Sequence, residues 1–326
     1  MGAIIGRIMY IVTGGAGFIG SNLVRALCER GKEVIVVDDL TDGRKFLNIA
    51  EYGISDYLDK DEFGRLARNL PNFAGRPEAI FHQGACSDTT QWDGRYMMET
   101  NYAYSKHVFD YAQHHGAALL YASSASVYGD GPVFKEERKY EAPLNVYAYS
   151  KCLFDRFVET KLSLGQVSNQ VVGLRYFNVY GPGESHKGKM ASIAWQLYQR
   201  VINNQTVDLF EGCDGYADGE QRRDFVYVDD VVDVNLWFLD NPDRSGIYNL
   251  GTGFSQTFND VANAVTGWFG GGDINYIPFP AHLRGRYQSF TEADISALRT
   301  CGYKRPFLSV QEGVQRYLDV LVGKSF

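Results

Sequence analysis

Gly14-Gly15-Ala16-Gly17-Phe18-Ile19-Gly20 stands between two patterns of different period. Before it runs Ile8-Met-Tyr-Ile-Val-Thr13, a short apolar, β-rich stretch that reads as a buried strand. After it Ile19, Leu23, Ala26 and Leu27 recur at the spacing of one helix face. In a strand–loop–helix context each glycine has a task. Gly14 makes the tight turn, Gly17 lets backbone approach a pyrophosphate, and Gly20 lets helix and strand pack closely. The helix N-terminus adds amide donors and the positive end of its dipole. A glycine-rich turn that binds nothing is the competing reading, and the flanking strand and helix argue against it. Glu33-Val-Ile-Val-Val-Asp38 then forms a second buried strand, ending on a carboxylate placed to accept adenosine ribose hydroxyls.

The alternation continues outward. Strands are expected at Ala79–His82, Ala118–Ser123 and Gln170–Tyr176, with helices near 95–115 and 147–164. Strands alternating with helices imply a parallel sheet covered on both faces. Past about residue 177 the pattern turns irregular, with loop-like Gly181-Pro182-Gly183 and Gly212 to Glu220, and helix-like segments near 189–203, 229–240, 257–269 and 309–321. The expected class is α/β, a Rossmann-type doubly wound parallel sheet with a smaller mixed α/β substrate lobe. Residues 1–177 form the dinucleotide-binding domain, with returning segments near 224–252 and 288–302. Residues 178–223, 253–287 and 303–326 form the lobe.

Composition removes other classes. The 326 residues are 45% hydrophobic and 22% charged, which excludes disordered and collagen-like chains. A net charge of −7 argues against a general nucleic-acid binder. The five cysteines form no CxxC and no zinc-ligand spacing, so reduced thiols and a cytoplasmic location are expected, with no metal. No apolar window reaches a membrane-spanning length, and Met1 to Arg7 is too short for a signal peptide, so no membrane association is expected.

A second constellation carries the chemistry. Tyr147 and Lys151 are four residues apart in Tyr147-Ala148-Tyr149-Ser150-Lys151 and share a helix face. A nearby ammonium stabilises a phenolate and is expected to draw the tyrosine toward the range of a general base. Alone, this spacing more often marks an amphipathic helix with a surface lysine. Here it follows a dinucleotide fold and Ser123-Ser124 at a strand end, the rim where such folds react.

These motifs, with Tyr121-Ala-Ser-Ser-Ala-Ser-Val-Tyr-Gly129, resemble the extended short-chain dehydrogenase/reductases acting on nucleotide sugars. Narrower stretches are His82-Gln-Gly-Ala-Cys-Ser87, Trp92-Asp-Gly-Arg-Tyr-Met-Met98, Arg175-Tyr-Phe-Asn-Val-Tyr-Gly-Pro182, His186-Lys-Gly188, Phe210-Glu-Gly212, Arg223-Asp-Phe-Val-Tyr227 and Gly285-Arg-Tyr-Gln288. They are similar to members of that family that invert C6 of an ADP-heptose substrate, a precursor of the lipopolysaccharide core. The resemblance implies a catalytic set of Ser124, Tyr147 and Lys151, with Lys187 as a second acid/base. It implies cofactor contacts at Gly14, Gly17, Phe18, Ile19, Gly20, Asp38, Asp39, Lys45, Lys60, Gln83, Gly84, Ala85, Cys86, Ser87, Asn101 and Val179, besides Tyr147, Lys151 and Lys187. For the sugar and diphosphate it implies Ser124, Asn178, Lys189, Gln196, Phe210, Glu211, Gly212, Cys213, Arg223 and Tyr287. Lys189 and Gln196 stand where better-known members carry serine and histidine. The residues themselves leave NAD and NADP open: Asp38 and Asp39 repel a 2′-phosphate, whereas Arg44 and Lys45 would neutralise it. The resemblance favours NADP and a homo-oligomer, a pentamer. Related 4-epimerases or 4,6-dehydratases are the nearest alternative activities. Dehydratases carry Thr-Asp-Glu where this chain has Ser124-Ala125-Ser126. A dinucleotide-sensing regulator would have lost Ser124, Tyr147 and Lys151, which are intact.

Overall fold

The computed structural model describes residues 8–70, 76–280 and 288–323. β1 (Ile8–Thr13) runs through the glycines into α1 (Phe18–Glu29), and β2 (Val34–Asp38), β3 (Asp56–Asp59), α2 (Lys60–Asn69) and β4 (Arg76–His82) follow. The helix expected near 95–115 is three pieces: α3 (Gly94–Met97), a π-helical stretch Met98–Ala103 and α4 (Tyr104–His115). β5 (Ala118–Ser124), α5 (Val146–Ser163), β6 (Val171–Tyr176) and β7 (Asn178–Tyr180) come next. Then come α6 (Ile193–Ile202), β8 (Val207–Phe210), β9 (Arg222–Arg223), β10 (Phe225–Tyr227), α7 (Val228–Leu239) and β11 (Gly246–Leu250). β12 (Gln256–Thr257), α8 (Phe258–Trp268), β13 (Ile274–Ile277), α9 (Ser296–Cys301) and α10 (Val310–Leu321) complete the order. β3, α2, α9 and the seven strands β7 to β13 have no counterpart in the sequence reading. The first is four residues long and buries none of them, and α2 buries only Phe63, Gly64 and Ala67, so their apolar signal is faint.

A seven-stranded sheet has the order β11-β6-β5-β4-β1-β2-β3. β1 pairs in parallel with β2 on one side and β4 on the other, Tyr10 facing Val34 and Thr13 facing His82. The chain therefore reverses its winding between β1 and β4, and a doubly wound sheet opens its binding crevice at such a switch point. Five of the six β1 residues are buried and all five of β2 are, as strands with helices on both faces require. Met9, Ile11, Ile35, Val37, Phe63 and Ile80 belong to one buried apolar core cluster.

The chain divides into two compact units. Unit 1 holds the described residues up to Val127, then Pro143–Arg175 and Val232–Tyr248. Unit 2 holds Tyr128–Ala142, Tyr176–Val231 and the described residues from Asn249 on. This grouping differs from the expected boundaries at 128–142, 176–177, 224–231, 249–252 and 288–302, all of which lie in unit 2. Hydrogen bonds account for the difference. Tyr128 Oη donates to Asn249 Oδ1 at 2.6 Å, the Asp294 amide to the Phe134 carbonyl at 3.0 Å, and the Thr291 amide to the Arg222 carbonyl at 3.2 Å. Asp224 accepts from Thr252 and Gly253. Unit 2 has three two-stranded ribbons, β7 with β10, β9 with β12, and β8 with β13. Among the described residues, no helix is long and apolar enough to cross a membrane.

Candidate active site

The crevice in unit 1 is shaped by glycine. Gly14 has φ +65°, and a Cβ there would lie 2.7 Å from Gly84 N and Cα. A Cβ on Gly20 would lie 2.0 Å from the Gly14 carbonyl oxygen. The β1–α1 loop and the loop after β4 thus touch backbone to backbone. Gly17 caps α1 without a side-chain hydrogen bond, and the first turn, with Phe18, Ile19 and Gly20, carries no acidic residue. An N-terminus left without capping side chains or carboxylates suits a pyrophosphate.

Asp38, at the end of β2, is buried and held in place. Its Oδ2 accepts from the Ala16 amide at 2.8 Å, and its Oδ1 from the Asp39 amide at 2.6 Å and Lys45 Nζ at 2.6 Å. A carboxylate has about four acceptor sites, so one remains for a ribose hydroxyl. Lys60 Nζ lies 2.9 Å from Asp39 Oδ2, and with Thr41 it holds the Asp39 carboxyl well below the usual range. Arg44, by contrast, is turned onto exposed Asp42 at 2.7 Å. Each carboxylate at this corner therefore carries its own ammonium. The cradle, the uncapped helix end and this corner fit a dinucleotide.

Beneath the Gln83–Ser87 loop lies a chain of buried polar groups. Thr13 Oγ1 is 2.7 Å from His82 Nδ1 and accepts from the Gly84 amide at 3.1 Å. His82 Nε2 is 2.8 Å from Ser105 Oγ, which donates to the Asn101 carbonyl at 2.5 Å. Burial drives His82 down to about 3, so it is a neutral strut. Asn101 sits in the π-helical stretch, where a wide turn commonly marks a working site. Its Oδ1 accepts from the Cys86 amide at 2.8 Å, and its Nδ2 donates to the Cys86 carbonyl at 2.9 Å and to Ser150 Oγ at 3.2 Å. Asn101 therefore ties the Gln83–Ser87 loop to the helix of Tyr147.

Ser124 ends β5 and Tyr147 lies in the first turn of α5, which Asn145 caps by accepting from the Ala148 amide at 2.8 Å. Ser124 and Cys86 both act on the Tyr147 phenol, the serine lowering it and the cysteine raising it. Lys151, one turn on, is buried and donates to the Ala122 carbonyl at 2.8 Å. Unit 1 thus brings together Ser124, Tyr147, Lys151 and the Gln83–Ser87 loop. The expected depression of the tyrosine is not found. Burial pushes the Tyr147 phenol up, with Ser124 pulling back. The Lys151 ammonium is itself lowered to about 8 by burial, with Asp155 opposing, and its proton points at a carbonyl. Desolvation outweighs attraction here.

Asp155 was not among the expected site residues. It is fully buried, one turn after Lys151, and accepts from Tyr121 Oη at 3.0 Å, Ser123 Oγ at 2.8 Å and Arg175 Nε at 2.9 Å. The strand end that carries Ser124 is thereby pinned to α5. A carboxylate four residues past Lys151 was the available signal.

Unit 2 carries the remaining candidates. Asn178 is exposed on β7, its amide donating to the Asp224 carbonyl at 3.0 Å, with Val179 half-buried beside it. Arg223 on β9 is buried, with its guanidinium 5.8 Å from the Phe258 ring centre. Gln221 Nε2 donates to the Glu211 carbonyl at 3.0 Å and approaches Cys213 Sγ at 3.5 Å, which sets the Phe210–Cys213 turn beside β9. Gly212 donates to Asp218 at 2.8 Å. Lys187 is half-buried in the helical turn Ser185–Met190, and burial lowers its ammonium while Glu184 opposes. Lys189 and Gln196 are exposed, Gln196 Nε2 donating to the Ala191 carbonyl at 2.8 Å. Tyr287 lies outside the described residues.

Residues 10–251 match the model of the NAD dependent epimerase/dehydratase family. The chain is 56% identical, over 96% of its length and 97% of the relative's, to an ADP-L-glycero-D-manno-heptose-6-epimerase of Alkalilimnicola ehrlichii. Its fold is similar to the crystal structure of the Helicobacter pylori ADP-L-glycero-D-manno-heptose-6-epimerase, with TM-score 0.82, 31% identity and coverage of 98% and 97% of the two chains. It is also similar to the Thermus thermophilus UDP-glucose 4-epimerase in complex with NAD, with TM-score 0.78, 29% identity and coverage of 97% and 100%.

Proposed function

The chain belongs to the NAD dependent epimerase/dehydratase family, and on that footing we propose that it inverts C6 of ADP-D-glycero-D-manno-heptose to give ADP-L-glycero-D-manno-heptose. The observation that carries this reading is Tyr147 in the first turn of α5, one turn before buried Lys151, which holds the Ala122 carbonyl on the strand that ends at Ser124, in the same unit as a glycine cradle at the switch point. A nicotinamide dinucleotide held by the cradle, the Asp38–Asp39 corner and the Gln83–Ser87 loop supplies reversible hydride exchange at C6.

The protein's own groups manage the protons. Tyr147 takes the C6 hydroxyl proton as C6 becomes a ketone, and Ser124 steadies the oxygen by hydrogen bonding. C6 lies outside the ring, so the ketone is hinged on the C5–C6 bond, and half a turn about it presents the other face at low cost. The carbonyl oxygen then needs a second donor. We assign Lys187, whose half-buried ammonium is lowered toward a useful range. Its proton goes to the oxygen as C6 is reduced. Solvent then resets Tyr147 and Lys187.

Finer readings follow from the same residues. Lys45 and Lys60 neutralise Asp38 and Asp39, so a 2′-phosphate would meet no net negative charge at that corner. This favours NADP over NAD. Arg44 adds nothing, being paired with Asp42, and Asp38 cannot swing aside. Arg223 suits a diphosphate contact because guanidinium binds phosphate bidentately. Asn178, Val179, Lys189, Gln196, the Phe210–Cys213 turn and Tyr287 are kept as sugar-nucleotide or cofactor contacts. The five free cysteines fit a reducing cytoplasm. A homo-oligomer, a pentamer, and a place in lipopolysaccharide core synthesis complete the proposal.

The test is to incubate the protein with ADP-D-glycero-D-manno-heptose and follow the C6 proton by NMR, after titrating apo protein with NADP and NAD. Conversion to the L-glycero epimer with tighter NADP binding is expected. A ring epimer or an elimination product would overturn the activity, and tighter NAD binding would overturn the cofactor choice alone.

A further inference from the structure

His82 has no part in hydride or proton exchange, yet it stands at the middle of the polar chain beneath the Gln83–Ser87 loop. The groups at the two ends give that chain a direction. A backbone amide only donates, so Thr13 Oγ1 accepts from the Gly84 amide at 3.1 Å. A backbone carbonyl only accepts, so the Ser105 proton goes to the Asn101 carbonyl at 2.5 Å. With its proton engaged there, Ser105 Oγ accepts from His82 Nε2 at 2.8 Å. The imidazole is 2% exposed and both its nitrogens face neutral hydroxyls, so a charged ring would be costly. Burial and the Lys151 ammonium both press it toward the neutral form. A neutral ring with its proton on Nε2 leaves Nδ1 bare, and Nδ1 accepts the Thr13 hydroxyl proton at 2.7 Å. Every proton therefore points the same way, from Gly84 through Thr13, His82 and Ser105 to Asn101.

Both ends bear on the site. At one end the Gly84 backbone touches Gly14, where a Cβ would lie 2.7 Å from Gly84 N. At the other, the Asn101 side chain holds the Cys86 amide at 2.8 Å and Ser150 Oγ at 3.2 Å, and Ser150 donates to the Tyr147 carbonyl at 2.7 Å. Tyr104 sets the plane of the imidazole, stacked on it at 5.9 Å with 27° between the rings, and donates its own hydroxyl to the Lys60 carbonyl at 3.1 Å. One ring thus joins the anchors of two loop amides, Gly84 and Cys86. We propose that His82, as its Nε2–H tautomer, is a positioning residue that holds the Gln83–Ser87 loop in the shape a dinucleotide needs. This rests on the reading of that loop as a cofactor contact. Hydrogen bonds that run in one direction polarise one another, so breaking one link weakens the rest. Glutamine keeps the direction, its amide oxygen accepting from Thr13 and its NH₂ donating to Ser105, whereas leucine ends it.

The test uses the full chain with ¹⁵N-labelled histidine, His82 being assigned by its loss in His82→Gln. Nε2 should show one-bond coupling to a proton and Nδ1 none. Titration with NADP, or with NAD where that binds tighter, should show affinity about tenfold weaker in Thr13→Val and in Ser105→Ala. The double variant should lose far less than the product of the two, since one break already opens the chain. His82→Leu should match the single variants, and His82→Gln should stay within about threefold of the parent. Thr13→Val and Ser105→Ala serve even if His82→Leu does not fold. A histidine that only fills space would lower the melting temperature of His82→Leu without this pattern. A proton on Nδ1, multiplicative losses in the double variant, or affinity within about twofold of the parent in both single variants would overturn the inference. If the dinucleotide leaves the Gly84 and Cys86 amide signals of the parent unmoved, the cofactor reading of the loop fails instead. The tautomer, and the shift of the Cys86 amide in Thr13→Val, still read the brace.

Discussion

At the scale of single residues, the environment of Tyr147 matters more than its spacing from Lys151. Four residues on a helix place both on one face, yet the ammonium is drawn to the Ala122 carbonyl, and burial pushes the phenol up. A raised phenol is a better-retained acid and a scarcer base, so oxidation of the substrate should speed up as pH rises from neutrality. Tyr147→Phe should lower kcat by about a hundredfold or more, the usual cost of a lost acid/base group. Circular dichroism and cofactor titration should be unchanged, because no hydrogen bond of the Gln83–Ser87 loop passes through this hydroxyl among the described residues. Activity within a few-fold of the parent would remove Tyr147 from the mechanism. Asp155 illustrates the converse. It did not stand out in the sequence, because an acidic side chain near a lysine is ordinarily a surface pair, and only complete burial shows otherwise.

At the scale of elements, the β1–loop–α1 unit works by contact between backbones. Gly20 meets the Gly14 carbonyl where no Cβ fits, and Gly14 meets Gly84 in the same way. Gly20→Ala should therefore push the start of α1 off the loop. Cofactor affinity should drop at least tenfold by fluorescence titration and the melting temperature should fall, since a contact at 2.0 Å against backbone cannot be relieved by a rotamer change. An affinity within twofold of the parent would show that the close approach is dispensable. The π-helical stretch belongs to this scale too. Its period is invisible to a pattern read at 3.6 residues per turn, and so Asn101 could be matched as a cofactor contact without its brace on Cys86 and Ser150 being foreseen.

At the scale of the whole molecule, buried titratable groups set how stability depends on pH. His82 is neutral inside the fold, lowered to about 3 from an ordinary 6.5. Above pH 6.5 neither state binds the proton. Between those values the unfolded chain takes a proton that the folded chain refuses, so stability falls as pH falls, by about 1.4 kcal/mol per unit. Denaturant unfolding at pH 7 and pH 5 should show about 2 kcal/mol lost through this group. His82→Gln, which can still bridge Thr13 and Ser105, should flatten the dependence by that amount. An identical slope in the variant would mean that His82 gains its proton without unfolding.

The doubly wound sheet, the glycine cradle, Asp38 and the Tyr147–Lys151 pair were all legible in the order of residues. Each depends on local period or on spacing within one loop or one helix, and those are properties of neighbouring residues. The boundaries of the two units were not legible, because Tyr128 with Asn249 and Phe134 with Asp294 meet across more than a hundred positions. Nor were the directions in which Tyr147, Lys151 and His82 are shifted. Those follow from desolvation, which depends on what tertiary packing lays over a side chain and not on its neighbours in sequence. The same holds for Asp155: its partners come from β5 and β6, and burial is what makes a charge there consequential.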